Sequence, residues 1–436
     1  MSQKQEEACV NITMIALGST GDVRPYVLLG RELRARGHEV TVASFGPFEP
    51  MITGAGLRFF KISGDVVEMM GNLMKPGGNG VRIISSLEKT IRDVAPILLS
   101  DLMRSCEGAD ALICTFFGSM YYSIAEKYGI PCIQTHYFPM DNNSAMPISS
   151  SPFQHLGKVW NSASYKIGYL LIGTLEKRYL TDWRRENGMA PRRVHTRPDY
   201  VSGGHRVPVV YAVSPLVVPR PKQWNEHIHM SGFWYDDTPC QWQPPQELEE
   251  FMAAGERPIY IGFGSMVSGN MNRLFAMVLR AVRAAKVRAV ISAGWSGESV
   301  RLKSNSRVFF ADYIPHDWLF PRVKAVVHHG GAGTTASGLR AGKPTLVVPF
   351  GGDQPFWGAR VHALGCGPRP IRREALTVNK LTRGILDLVT RDDYRVNAEA
   401  LAESLRGEKG VRNAADVIER EIAAWREEGS ADAAWD

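Results

Sequence analysis

The apolar run Ala325-Val326-Val327 reaches His328 and gives way at once to His329-Gly330-Gly331-Ala332-Gly333-Thr334-Thr335. β-Branched residues followed by small ones predict a buried strand that turns sharply, and Thr334 to Arg340 then reads as a helix closed by Gly342. Such a turn leaves the first helical N–H groups without carbonyl partners and sets the positive end of a helix dipole at the strand's tip, which suits an anion. Val347-Val348-Pro349-Phe350 leads to a second turn carrying Asp353 and Gln354. In a parallel sheet the two turns lie side by side, and a carboxylate with an amide there can bond hydroxyls. A phosphate cradle beside a polyol clamp points to a nucleotide sugar. The plainer reading, a strand, a turn and a capped helix, uses the same residues and does not compete.

Strand and helix signals alternate along the chain, which predicts an α/β protein with parallel sheets. Strands are expected at Asn11 to Leu17, Glu39 to Ala43, Ala111 to Cys114, Cys132 to Thr135 and Val209 to Val213. A second set is expected at Pro258 to Phe263, Ala289 to Ser292, Val308 to Ala311, Ala325 to His328 and Thr345 to Val348. A helix from Val23 to Arg36 stops at Gly37, and an amphipathic helix runs from Val411 to Trp425. Prolines and tryptophans interrupt the alternation between Ser214 and Pro245. The expected division is therefore 1–214, a linker at 215–257, 258–410, and an end helix at 411–436. Two domains suit 436 residues, and 44% hydrophobic against 22% charged residues is a globular balance.

The net charge of +7 is scattered rather than gathered in basic runs with aromatics, so no nucleic-acid partner is expected. The same charge suits an anionic donor or an acidic membrane face, and peripheral membrane contact is left open. Six cysteines without C-x-x-C spacing predict reduced thiols in a cytoplasmic protein and no zinc; no metal ligand set is expected. No signal peptide or membrane span is expected.

Asp22 stands where the first helix begins, within Gly18-Ser19-Thr20-Gly21-Asp22-Val23-Arg24-Pro25. It is either an N-cap or a general base facing a cleft. His328 and His329 flank the glycine turn, and either one can reach a phosphate, because adjacent strand residues face opposite ways. Gly331, Gly333, Thr334 and Thr335 offer close backbone approach and hydroxyl donors. Ser265, after the strand ending Gly262-Phe263-Gly264, is a second phosphate candidate.

The Gly18–Pro25 loop, Ile314-Pro315-His316-Asp317-Trp318-Leu319-Phe320, the His328–Thr335 turn and Pro349-Phe350-Gly351-Gly352-Asp353-Gln354-Pro355-Phe356 together resemble family 1 glycosyltransferases. The sterol 3β-glucosyltransferase branch is the nearest in pattern, with antibiotic and macrolide glycosyltransferases beside it. The resemblance implies the GT-B fold: two Rossmann-like parallel-sheet domains facing across a cleft, with the end helix crossing back to the first. It implies an inverting, metal-independent transferase moving a hexose, foremost glucose from UDP-glucose, onto a hydroxyl of a sterol, triterpenoid, polyketide or phenolic acceptor. No cofactor beyond this co-substrate is implied.

By match to the family, Asp22 becomes the base. Plant-type members use a histidine oriented by an aspartate, and here Asp22 and Thr115 occupy those two positions. The donor set comprises Ser19, Thr20, Gly21, Ser265, Tyr313, Ile314, His316, His328, His329, Gly331, Gly333, Thr334, Thr335, Asp353 and Gln354, with Tyr313 and Ile314 at the nucleobase. Ala336-Ser337 stand where plant-type members carry a ribose-binding glutamate, which leaves UDP and dTDP both open. The acceptor candidates are Met70, Met74, His136 and Phe138. A dehydrogenase fails because the first turn is not G-x-G-x-x-G and Val40-Thr41-Val42-Ala43-Ser44 ends without an acid. A dTDP-sugar transferase, a sugar-nucleotide epimerase and a non-catalytic lipid-binding protein of this fold remain as alternatives.

Overall fold

The computed structural model describes residues 9–64, 97–115, 118–148, 151, 153, 156–192, 200–238, 240–264, 271–292 and 304–432. Two fully parallel sheets organise the chain. The first is built from β1 (Asn11–Ile15), β2 (Glu39–Phe45), β3 (Arg58–Ile62), β4 (Ala111–Thr115) and β5 (Cys132–His136). After a small hairpin of β6 (Val201–Ser202) and β7 (His205–Arg206), β8 (Val209–Tyr211) and β9 (Ile228–Met230) complete it in the order β3-β2-β1-β4-β5-β8-β9. The second sheet has β10 (Ile259–Gly262), β11 (Ala289–Ser292), β12 (Val308–Ala311), β13 (Val326–His328) and β14 (Thr345–Val347), in the order β12-β11-β10-β13-β14.

The central strands are continuous apolar runs because helices cover both faces of a parallel sheet. Met14 on β1 sits between Val42 and Ile113, and Ile261 on β10 between Ile291 and Val327. In each sheet the order reverses beside its first strand, at β1/β4 and at β10/β13. Ligands of open α/β sheets bind at the strands' carboxyl ends beside such a reversal.

Besides the β6–β7 hairpin, two strands of the first sheet are additional to those expected. β3 is an edge strand, RFFKI, with its first and fourth residues exposed and little alternation to detect, and β9 has three residues. The segment 215–257 is more than a connection: β9 extends the first sheet beside β8, and the helix Gln246–Ala253 packs Leu248 and Phe251 against Phe309, Ile314 and Phe320. A shared apolar cluster joins Tyr211, Val217, Trp224 and Phe233 to Leu339, Phe356, Trp357 and Leu405, so the halves meet through a packed core.

The end helix, Gly410–Asp432, returns to the first domain and buries Ala414, Ala415, Ile418 and Ile422 in its core. Arg36 holds it by bonds to Asp416 at 2.6 Å and Glu419 at 2.7 Å. His38, His229 and His205 pair in turn with Glu419, Glu421 and Glu428.

Candidate functional site

The loop after β1 turns at Gly18, whose φ of +142° lies outside the range that side chains favour. The first helix, Thr20–Ala35, begins earlier than its apolar pattern indicates, and Ser19 rather than Asp22 is its N-cap. Asp22 stands in the third helical position. Its carboxylate accepts the Ser19 backbone N–H at 2.7 Å and the Ser19 hydroxyl at 2.9 Å, the acidic half of a capping box. It lies so close over the loop that a Cβ on Gly18 would come within 2.4 Å of Oδ2. Burial raises the Asp22 pKa from its ordinary value, against the lowering effect of the two Ser19 bonds. The Tyr137 hydroxyl donates to the Asp22 carbonyl at 3.2 Å. Thr115 ends β4 with its hydroxyl buried and unbonded, and it makes no hydrogen bond to Asp22 among the described contacts. Ser19 is thus engaged with Asp22, Thr20 starts the helix, and Gly21 is exposed at its tip.

In the second domain the helix of the glycine turn, Ala332–Arg340, starts two residues before its expected first residue, with Gly331 as N-cap. The N–H groups of Ala332, Gly333 and Thr334 precede the first intrahelical bond, which Thr335 makes to Gly331. Gly333 is exposed and a Cβ there would touch nothing, so the donors open on free space. Thr335 departs from its expected use: it is buried, and its hydroxyl donates to the Gly331 carbonyl at 2.9 Å. Thr334 is half-buried beside it.

The two histidines differ. His328 is fully buried and its Nδ1 accepts the Gly330 N–H at 2.9 Å, which leaves the proton on Nε2, a buried atom without a partner. The His329 ring bonds the Gly262 carbonyl and fills the gap between two loops: a Cβ would lie 2.9 Å from it on Gly264 and 2.6 Å on Gly331. Burial holds both imidazoles neutral, His329 at about 4 and His328 well below its usual value. Neutral rings of this kind can offer a hydrogen bond to an anion but no cationic charge.

Asp353 is the N-cap of Gln354–Ala363, yet its carboxylate makes no cap bond and instead accepts the Trp357 indole N–H at 2.8 Å. Burial raises its pKa to about 7, and the negative charge of Asp22 adds to the shift. The two carboxylates belong to different domains, and the charge on one is near enough to be felt by the other. Gln354 has another use than the one expected of it: its amide oxygen accepts the N–H groups of Phe350 at 2.7 Å and Gly351 at 3.2 Å and shapes the turn, so that oxygen is not available to a sugar.

A recess of about 80 Å³ is lined by Tyr260, Ser292, Tyr313, Ile314 and His316 of the second domain and by Arg24 of the first. Tyr313 is 65% exposed at its mouth, a surface on which a base can stack. His316 lies inside, stacked on Phe320 at 4.3 Å and kept neutral by burial, with a pKa near 3. Arg24 pairs with Asp317 at 3.2 Å across the cleft. Sequence reasoning did not single out Arg24 or Trp357. The spacing of Trp357 four residues after the N-cap was a usable signal, whereas Arg24 depends on how the domains face each other.

The acceptor candidates separate. Met70, Met74 and, on the donor side, Ser265 lie outside the described residues. His136 ends β5 buried against Tyr211, its pKa pushed down to about 3, and is a core residue rather than a lining one. Phe138 is partly buried between the first-domain core and the interdomain cluster. Among the described residues no three His, Cys, Asp or Glu side chains gather in a group fit for a metal.

Residues 12–147 match the glycosyltransferase family 28 N-terminal domain, and 283–418 match the erythromycin biosynthesis protein CIII-like C-terminal domain. The chain is 36% identical over 425 residues to sterol 3-beta-glucosyltransferase UGT80A2 of Arabidopsis thaliana, covering 93% of this chain and 64% of that one. It is 31% identical to sterol 3-beta-glucosyltransferase UGT80B1 of the same plant, covering 95% and 68%. The chain spans less than two thirds of the first of these relatives. Its fold is similar to that of the crystallised glycotransferase of kitacinnamycin, with a TM-score of 0.69 at 20% identity, over 95% of this chain and 99% of that one.

Proposed function

The chain belongs to the family 1 glycosyltransferases of GT-B fold, and on that footing we propose that it moves a hexose, glucose from UDP-glucose, to the hydroxyl of a sterol-like acceptor with inversion at the anomeric carbon. The observation that carries this reading is a pair of buried carboxyls, Asp22 and Asp353, on domains that Arg24 and Asp317 join at 3.2 Å. One is a carboxylate of raised pKa on the first domain; the other is a carboxyl beside the glycine turn of the second. Asp353 is suited to bond a hydroxyl of the sugar. Asp22 takes the proton of the acceptor hydroxyl as that oxygen attacks. The N–H groups of Ala332, Gly333 and Thr334, with Nε2 of His328, receive the negative charge of the departing diphosphate, so the step needs no metal. The aromatic face of Tyr313 takes the base.

The reaction is tested by incubating the protein with UDP-glucose and a sterol in excess EDTA. A β-linked product from the α-linked donor, at a rate the chelator leaves unchanged, is the expected result. An α-linked product would overturn single displacement, and magnesium-dependent recovery would overturn the metal-free step. The absence of a carboxylate at Ala336-Ser337 favours one second reading, a dTDP-sugar donor. Competition between UDP and dTDP for the unliganded protein decides between them.

A further inference from the structure

The first turns of the helix Lys158–Glu186 present a set of apolar side chains to the outside. Asn161, Ser164 and Tyr165 face inward and are buried. They bond the segment beneath: the Asn161 amide donates to the Ser144 carbonyl at 3.0 Å, the Ile148 N–H to the Ser164 hydroxyl at 2.9 Å, and the Tyr165 hydroxyl to the Pro147 carbonyl at 3.4 Å. Val159, Ile167, Leu170 and Leu171 point away, 86, 49, 49 and 55% exposed. Just ahead of the helix, Phe153 and Leu156 are 53 and 61% exposed. Half of the large apolar side chains exposed among the described residues fall in this stretch, which makes it a patch and not scatter. At 100° per residue the four helical ones fall within about a third of the circumference.

Over the turns that carry this patch the charges are of one sign, and the first acidic residue of the helix is Glu176. Lys158, Lys166 and Lys177 are exposed, and no acidic residue occurs between 158 and 175. No described helix is long and apolar enough to cross a membrane. We infer that this face, Phe153 to Leu171 with its lysines, lies on the surface of a bilayer that contains anionic lipid. The aliphatic side chains enter the boundary between headgroups and acyl chains while the lysines meet lipid phosphates. A second copy of the chain fits less well, because a two-fold contact would bring the same lysines against each other.

The segment under the helix starts at the carboxyl end of β5, where Tyr137 bonds the Asp22 carbonyl. An apolar acceptor dissolved in the bilayer is therefore handed to the cleft from the side that rests on the membrane. This last step rests on the proposed reaction; the docking surface does not.

The test is cosedimentation with vesicles of phosphatidylcholine alone or mixed with phosphatidylglycerol, for the wild type and the double variant Leu170→Glu/Leu171→Glu. Both residues are exposed, and an unchanged circular dichroism spectrum and melting temperature verify the fold. The expected result is binding to the mixed vesicles, weakened by added salt and reduced about tenfold or more in the variant. Equal sedimentation of the two proteins, or no binding by either, overturns the surface. So does a lipid-free wild-type dimer that the variant dissociates. Sterol glucosylation separates the handover from the surface: the variant should lose rate on vesicle-borne sterol and keep it on detergent-dispersed sterol. Unchanged rate on both overturns the handover, whereas failure of the wild type on either form counts against the reaction alone.

Discussion

The proposed base, Asp22, can take a proton only while it is ionised, and its surroundings oppose ionisation. Desolvation raises its pKa, so kcat/KM should fall on the acid side at a pH above the ordinary aspartate value. Asp22→Asn should lower kcat by about 10²–10⁴-fold while calorimetry finds UDP binding little changed, since the amide still accepts from Ser19 but takes no proton. A near-normal rate would return Asp22 to a helix-capping role. Asp353 has a consequence for stability as well. Its folded pKa, about 7, lies above the ordinary 3.8, so its favourable contribution is fully present below the lower value and is lost as pH rises through the higher one. Asp353→Asn should therefore raise the melting temperature of the unliganded protein near pH 8 and leave it unaltered near pH 4. The same variant should lose affinity for UDP-glucose and not for UDP. A melting difference independent of pH would show that the carboxyl is not held in this state.

Loops between strand and helix position each of these groups, and two of the glycines in them leave no room for a side chain. Gly18→Ala puts a methyl into the space of the Asp22 carboxylate at a φ of +142°. About 10²-fold loss of kcat is expected for a base displaced by an ångström, with UDP affinity retained; equal loss of both would mean that the whole loop had collapsed. Gly331→Ala, pressed against the His329 ring, should weaken UDP binding instead, as calorimetry would show. How much of this was legible varies with the range of the cause. Strands such as β11 and β12 follow from local β-branched and aromatic residues, and their observed limits coincide with the expected ones. The glycine turn and the Asp353 turn were legible because strand, turn and helix signals lie within one stretch of sequence. Not legible were the engagement of Gln354 with its own loop, the burial of His136, and the nearness of Asp22 to Asp353. Each depends on how separate segments pack, and the last on two domains that share no local sequence signal.

At the scale of the whole chain, the first domain is completed by residues that follow the second. Arg36 reaches Glu32, Asp416 and Glu419, and the surrounding carboxylates raise its pKa further. Arg36→Ala should cost about 1–2 kcal/mol in urea unfolding, well short of the full strength of charged bonds because Asp416 is largely exposed. No change in the urea midpoint would mean that the apolar contacts of Ile418 and Ile422 alone hold the helix. This path of the chain also constrains recombination between relatives. A hybrid joined near residue 258, acceptor half from one parent and donor half from another, would inherit its end helix from the donor parent. Glu419, Glu421 and Glu428 would then meet a foreign docking face in place of His38, His229 and His205. A graft with two junctions, the second near Gly410, keeps helix and face from the same parent, so exchange of donor preference between relatives is a matter of moving an inner segment and not of swapping halves.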